Sequence, residues 1–231
     1  MRMLACEAVS RSGSAGWDEG DGSPLIRDLG GASAEVVLVQ VLDDLIRTKG
    51  RPDALAVAAG PGSFTGLRVA VMAIRTLAWI EKLPVHAVDS LVARACEAGP
   101  GLWWVLVPLK KDTTFHALVR VHGDGRPEVL APSTACHDAE VPVVPAAIAD
   151  AIAIGPALTA KPDLLARWRP GQATASSAGL TALGVLRPPR RPGRLVAGPA
   201  RLSPGARSGA AATRMNEGGL PDFRTSGPRT S

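Results

Sequence analysis

The chain has 231 residues, enough to bury a core in one large domain or two small ones, and a formal net charge of +5. That charge invites a nucleic-acid reading, but residues 187–231 carry nine arginines against Glu217 and Asp222, so the tail holds +7 and residues 1–186 hold −2. The body is therefore mildly acidic, and its three cysteines (Cys6, Cys96, Cys136) lack paired spacing, which excludes a disulfide framework and a C-x-x-C motif and points to reduced thiols in a cytoplasmic protein.

The first seventeen residues have no sustained apolar core, so no secretory leader is expected. Leu4–Ala8 and Ser14–Trp17 read as two short strands joined by "SRSG", followed by a Gly/Asp/Ser loop over Asp18–Ser23. Val37, Leu38, Val41, Leu42, Leu45 and Ile46 recur at helical spacing, with Ser33 as N-cap and Lys49–Gly50 closing the end. Asp53–Ala59 reads as a buried strand, Leu67–Glu81 as a helix, Pro84–Val88 as a strand, and Ser90–Ala98 as a helix capped by Ser90. Beyond Gly99–Gly101 the runs "LWWVLVP", "TFHALVRV" and "PEVLAP", the last after an Asp124–Gly125 turn, predict a strand meander. Ala147–Leu158 reads as a short helix and a strand ending at Gly155, and "PDLLARW" and "SSAGLTALGVL" as helices. The expected fold class is α/β with mixed strand connections and no obvious internal repeat, divided into residues 1–100, 101–186 and a tail, 187–231. Fourteen of the 45 tail residues are Pro or Gly, so a disordered, solvated polycation is expected there. An RNA-binding arm is the alternative, though Phe223 is the tail's one aromatic residue.

The loop "GPGSFTGLR" (Gly60–Arg68) lies between a strand and a helix, where phosphates are often held. It fails as a Walker A motif: five residues separate Gly60 from Gly66, and Leu67-Arg68 stand where Lys and Ser/Thr belong. A dinucleotide fingerprint would need its third glycine at Thr65. An anion nest and a tight packing turn both stay open. His86, His116, His122 and His137 show no metal-ligand spacing, and Ser63 lacks the G-x-S-x-G frame of a nucleophile. Among the carboxylates only Glu7, Asp53 and Asp89 stand at strand edges suited to acid–base work. No catalytic, cofactor or metal residue is therefore nominated, and no cofactor is expected.

The positive signal is the helix from Leu67. Leu67, Ala70, Val71, Ile74, Leu77 and Ala78 form one apolar stripe, and a second row runs Arg68, Met72, Arg75, Trp79, Lys82. A helix apolar almost all round must be covered on more than one side. Its own sheet covers the first stripe; either the second half of the chain or a partner must cover Met72 and Trp79. Trp and Arg are the types most enriched at binding hot spots.

"GPGSFTGLRVAV", preceded by "DALAVAA" and followed by "PVHAVDSL", resembles the bacterial TsaB (YeaZ) family of the glycoprotease-like group, best over Ser33–Ala98 and more loosely over Met1–Leu186. The resemblance implies a two-lobed actin-like, RNase H-type fold and a non-catalytic subunit for making threonylcarbamoyladenosine in tRNA beside the anticodon. It implies a TsaD-type transferase as partner, a TsaE-type ATPase in the same complex, contact with tRNA only through that complex, a homodimer when alone, and no membrane. The family pairs through its first two helices, here about Ser33–Lys49 and Leu67–Lys82, so the expected interface residues are Val41, Leu45, Arg68, Met72, Arg75 and Trp79. An actin-like phosphotransferase or a glycoprotease-type peptidase acting alone is the alternative. The chain departs from the family at Glu7-Ala8, where an Asp-Thr pair is usual, at "PLKKDTTFH" in place of "DARRGEVY", and in lacking a "YLRPSEAE"-like end. The tail that stands there fits a native extension, and its composition also fits GC-rich DNA read out of frame.

Overall fold

The computed structural model describes residues 1–10, 13–30, 34–141, 150–168, 173–174 and 181–186. The expected cap Ser33, residues 147–149 and 176–180 of two expected helices, and the 187–231 tail lie outside the described residues. In chain order come β1 (Met3–Glu7), β2 (Ser14–Asp18), β3 (Leu25–Asp28), α1 (Ala34–Lys49), β4 (Ala54–Ala58), α2 (Phe64–Glu81), β5 (Val85–Val88) and α3 (Ser90–Ala98). Then follow β6 (Gly101–Lys110), β7 (Thr113–Val121), β8 (Pro127–His137), a single 3-10 turn (Asp138–Glu140), β9 (Ile152–Ile154), α4 (Pro156–Ala160), α5 (Pro162–Leu165), β10 (Ala173–Thr174) and α6 (Ala182–Leu186).

The strands form two five-stranded sheets, ordered β3-β2-β1-β4-β5 and β10-β9-β6-β7-β8. In the first, β1 pairs antiparallel with β2, β2 antiparallel with β3, and β1-β4-β5 run parallel. In the second, β6-β7-β8 is the antiparallel meander, and β9 and β10 add in parallel on the far side of β6. The two sheets therefore repeat one topology, a meander of three strands followed by two parallel crossovers. This internal duplication is invisible in the sequence.

Residues of β1 alternate between two cores because successive strand side chains point to opposite faces. Leu4 and Cys6, with Ala15, Trp17, Leu55 and Val57, pack against Leu38, Leu42 and Leu45 of α1 and Ala70 and Ile74 of α2. Met3 and Ala5, with Ala54, Ala56 and Ala58, face Ala93 of α3 and Ala182, Val185 and Leu186 of α6. Helix α3 serves both sheets: Leu91, Ala95 and Cys96 pack on Val105, Ala117, Val119 and Val121 of the second sheet. Segment 182–186 follows the second sheet in sequence yet packs on the first, with the Ala182 amide donating to Ser14 Oγ at 2.8 Å.

Three local expectations change. Strand β3 follows the expected Asp18–Ser23 loop, in a stretch for which no element was expected. Asp89, not Ser90, caps α3: its Oδ1 accepts from the amides of Leu91 at 2.8 Å and Val92 at 3.2 Å. Ser90 is the first helical residue and is buried. Helix α2 begins at Phe64, one turn before Leu67, because Ser63 caps it by accepting from the Gly66 amide at 3.3 Å. Among the described residues no helix is long and apolar enough to cross a membrane.

Candidate functional site

The loop between β4 and α2 lies against the chain that leaves β1. The Ser63 amide donates to the Val9 carbonyl at 2.9 Å, and the Ser90 amide donates to the Gly60 carbonyl at 2.8 Å. A Cβ on Gly66 would stand 1.7 Å from the Ala8 carbonyl oxygen, and one on Gly62 would stand 2.6 Å from Val9 Cβ. These glycines are needed for a close crossing of two backbones, and the Ser63 amide is held by the Val9 carbonyl while the Gly66 and Leu67 amides donate to Ser63. Of the two readings open at this loop, the geometry matches the packing turn that launches α2.

The strand-edge carboxylates are also engaged. Glu7 is fully buried, and its carboxylate accepts from the Ser10 amide at 2.5 Å and the Ser10 hydroxyl at 2.7 Å. Burial pushes its pKa up, against the pull of those bonds and of Arg94. Burial on α3 draws the pKa of the Arg94 guanidinium down, against the opposing pull of Glu7 and Glu97. Glu97 accepts from the Thr181 amide and hydroxyl, both at 2.9 Å, so this polar chain ties β1, α3 and the start of α6 together. Asp53 binds the Arg2 amide at 2.8 Å and its guanidinium at 3.1 Å, which hold its carboxyl below the usual range. Asp89 is the cap of α3. Burial pushes the Cys6 thiol far up, and Cys136 is pushed up to about 11 by burial and by Glu140 and Asp138, so neither is a poised thiolate. A second polar cluster, missed in the sequence, centres on Lys161. Its ammonium donates to both Asp138 oxygens at 2.8 Å, to Thr114 Oγ1 at 2.9 Å and to the Thr113 carbonyl at 2.8 Å, fastening the α4–α5 link to the sheet edge. Among the described residues no three His, Cys, Asp or Glu side chains are grouped to hold a metal ion.

What remains chemically unspent is the outer face of α1 and α2. Six of the nine exposed large hydrophobic residues among the described residues lie on these helices: Val36, Val39, Phe64, Met72, Trp79 and Ile80. Trp79 is 74% exposed and Met72 60%. The helical repeat places Phe64, Arg75, Arg68, Trp79 and Met72 within about 80° of arc, opposite the buried stripe of Gly66, Ala70 and Ile74. The Arg68 guanidinium stacks 3.9 Å from the centre of the Phe64 ring, and Lys82 Nζ lies 5.2 Å from that of Trp79. Among the described residues the second half of the chain does not cover this face, because the first sheet stands between them: α1 and α2 pack on one side of it, α3 and α6 on the other.

Of the expected interface residues, Arg68, Met72, Arg75 and Trp79 stand exposed together on α2. Val41 is half-buried against the core. Leu45 is corrected: at 3% exposure it belongs to the core, since Leu38, Leu42 and Leu45 share the face that meets the sheet. The exposed apolar residues of α1 are instead Val36 and Val39. Phe64 was missed because α2 was started at Leu67; the Ser63 cap was the available signal, and it extends the row to Phe64, Arg68 and Met72.

The family model described as "TsaD: tRNA N6-adenosine threonylcarbamoyltransferase" matches residues 33–102, which hold α1, β4, α2, β5 and α3. A stretch of 37 residues is 51% identical to the tRNA threonylcarbamoyladenosine biosynthesis protein TsaB of Bacillus subtilis (strain 168). That match covers 16% of this chain and 16% of the relative, so it spans about a sixth of the curated protein's length. Two solved structures from Pseudomonas aeruginosa share the fold: YeaZ, with a TM-score of 0.69, and an uncharacterized protein with similarity to peptidase YEAZ, with a TM-score of 0.70. Each is 23% identical over 80% of this chain and 88% of its own. The resemblance to TsaB (YeaZ) carried by the loop motif is met in sequence by the relative, and the two-lobed α/β fold by the two structures.

Proposed function

We propose that this chain works in the formation of threonylcarbamoyladenosine in tRNA, as a non-catalytic subunit that pairs with a TsaD-type transferase through the outer face of α1 and α2. The observation that carries the proposal is the exposed stripe of Phe64, Met72 and Trp79 among cations, on the side of the first sheet that, among the described residues, the second half of the chain does not reach. Large aromatic and Met side chains left in water at one face are what an interface covers. The TsaD family match falls on the same helix pair. A TsaD-type partner thus has a matching pair of helices to offer, and two such faces can meet about a pseudo-twofold axis. In this role the chain holds the transferase in its working state, a TsaE-type ATPase joins the pair, tRNA is reached through the complex, and the chain alone self-associates through the same face. The engaged state of Glu7, Asp53 and Asp89 supports a subunit that leaves chemistry to its partner.

Mixing the purified chain with the TsaD-type protein of the same cell should give a heterodimer on sizing columns. Trp79→Asp should abolish it, while Val129→Asp, an equal change at an exposed site on β8, should leave it intact. Normal assembly by the Trp79 variant would overturn the interface. Steady nucleotide turnover by the isolated chain, lost in Glu7→Ala, would overturn the non-catalytic role.

A further inference from the structure

Arg68 and Arg75 are exposed in the middle of the apolar stripe, and among the described residues neither is in an ion pair. Elsewhere on the surface most exposed arginines are paired: Arg2 with Asp53, Arg47 with Asp43, Arg51 with Glu81, Arg120 with Glu128. The nearest acid on α2, Glu81, is already held by Arg51 at 3.0 Å. The exposed row of α2, with Lys82 at its end, thus carries cations and no carboxylate. We propose that Arg68 and Arg75 set the choice of partner at this face: they select a protein surface bearing carboxylates and disfavour a second copy of this chain.

This selection rests on the interface proposed above and on the position of these charges in it. The largest exposed apolar groups, Trp79, Met72 and Phe64, are all on α2, so α2 lies at the centre of the contact rather than at its rim. In a self-complementary contact, residues near the twofold axis meet their own symmetry mates. Arg68 and Arg75 of one copy then approach those of the other, and like charges brought together as water is expelled repel strongly. A partner with Asp or Glu at those places turns the same two groups into charge-assisted, bidentate contacts. The stack of Arg68 on Phe64 orders the guanidinium before binding, so less side-chain freedom is lost when an acid meets it. Specificity here comes from a repulsive element against self as much as an attractive one toward the partner. The exposed acids on α1, Asp43 and Asp44, are the competing source of complementarity within a second copy, and Asp43 is held by Arg47 at 2.7 Å.

Salt separates the cases, because screening weakens attraction and relieves repulsion. With nuclease-treated proteins, affinity for the TsaD-type partner should fall as salt rises, whereas self-association of the isolated chain should tighten. The double variant Arg68→Gln/Arg75→Gln should bind the partner roughly tenfold more weakly with a flatter salt dependence, and should self-associate more strongly than wild type. Both positions are exposed, and an unchanged urea midpoint checks that folding is intact. If the double variant binds its partner normally at all salt concentrations while Trp79→Asp does not, the charge proposal falls and the interface stands. If neither variant matters, both fall. Self-association that weakens with salt would place the carboxylates on α1 of a second copy and overturn the proposal. Binding of bare tRNA to the isolated chain that is lost in the double variant would assign the cations to RNA and also overturn it.

Discussion

His116 stands in β7 at 5% exposure, its ring stacked against Trp104 with centroids 6.0 Å apart and its Nδ1 without a hydrogen-bond partner among the described residues. Burial holds the imidazole neutral and its pKa below the ordinary 6.5. The unfolded chain takes up that proton near 6.5, so the stability tied to neutral His116 is whole above 6.5 and is lost as pH falls toward the folded value, at up to about 1.4 kcal/mol per pH unit. Glu7 has the opposite sign. Its pKa is raised from 4.5, so its contribution is whole below 4.5 and is lost as pH rises through the folded value. Between pH 7 and 5 the two oppose each other. Urea midpoints across that range should fall less steeply with acid in His116→Phe than in wild type, and more steeply in Glu7→Gln. If both variants follow the wild-type curve, these two groups do not govern the acid response. Glu7 was singled out in the sequence by its place at a strand end. His116 was set aside there for want of metal-ligand spacing, since nothing in the order of residues shows that Trp104 stacks on it.

At the scale of elements, the launch of α2 is the tightest crossing near the candidate face. Gly66→Ala sets a methyl group against the carbonyl of Ala8, the residue that follows β1, and β1 is held by β2 on one side and β4 on the other. Backbone on both sides cannot yield as a side-chain tip would, so the variant should lose about 3 kcal/mol or more in urea unfolding. Gly123→Ala, with nothing within 4 Å of its added Cβ, is the matched control and should be neutral or slightly stabilising. An undisturbed Gly66 variant would mean the crossing is loose and the loop free for another use. Elements with strong periodicity or flat hydrophobicity were legible: α1, β4, α2, β5 and α3 lie where their apolar spacing put them. The misses have physical causes. β3 is the four residues LIRD, an edge strand with two exposed positions, and it exists because β2 offers it a partner rather than because of its own pattern. β8 runs on to His137, five residues past the expected Pro132, because β7 pairs with it across shifts in register near His116 and Leu118. The exposed row of α2 was read one turn short at Phe64, and Leu45 of α1 was read as exposed though it lies in the core, since periodicity says which positions share a face but not where the sheet's edge falls.

For the whole molecule, the repeated topology raises the question of whether the two sheets behave as one body. The duplication escaped the sequence because the crossovers differ: two long helices serve the first sheet, while among the described residues the second has only the short α4 and α5. Different helices bury different strand faces, and the side-chain patterns of the two halves diverge with them. What joins the sheets is α3, whose Ala93 packs on the first and whose Leu91, Ala95 and Cys96 pack on the second. The returning α6 adds the Thr181–Glu97 and Ala182–Ser14 hydrogen bonds, and Arg94 and Glu7 are two more buried polar groups between the sheets. A half that opened alone would strip one side of α3 and leave these buried polar groups without partners, at a cost of several kcal/mol from two or three such groups. Local opening should therefore be dearer than it would be for two lobes on a flexible hinge, and the sheets should unfold together. Hydrogen exchange gives the measurement: the slowest amides of β1 and β4 should reach the same limiting free energy as those of β6 and β7. Leu91→Ala, which touches the second sheet alone, should lower both limits by the same amount. A drop confined to β6 and β7 would show two independent lobes.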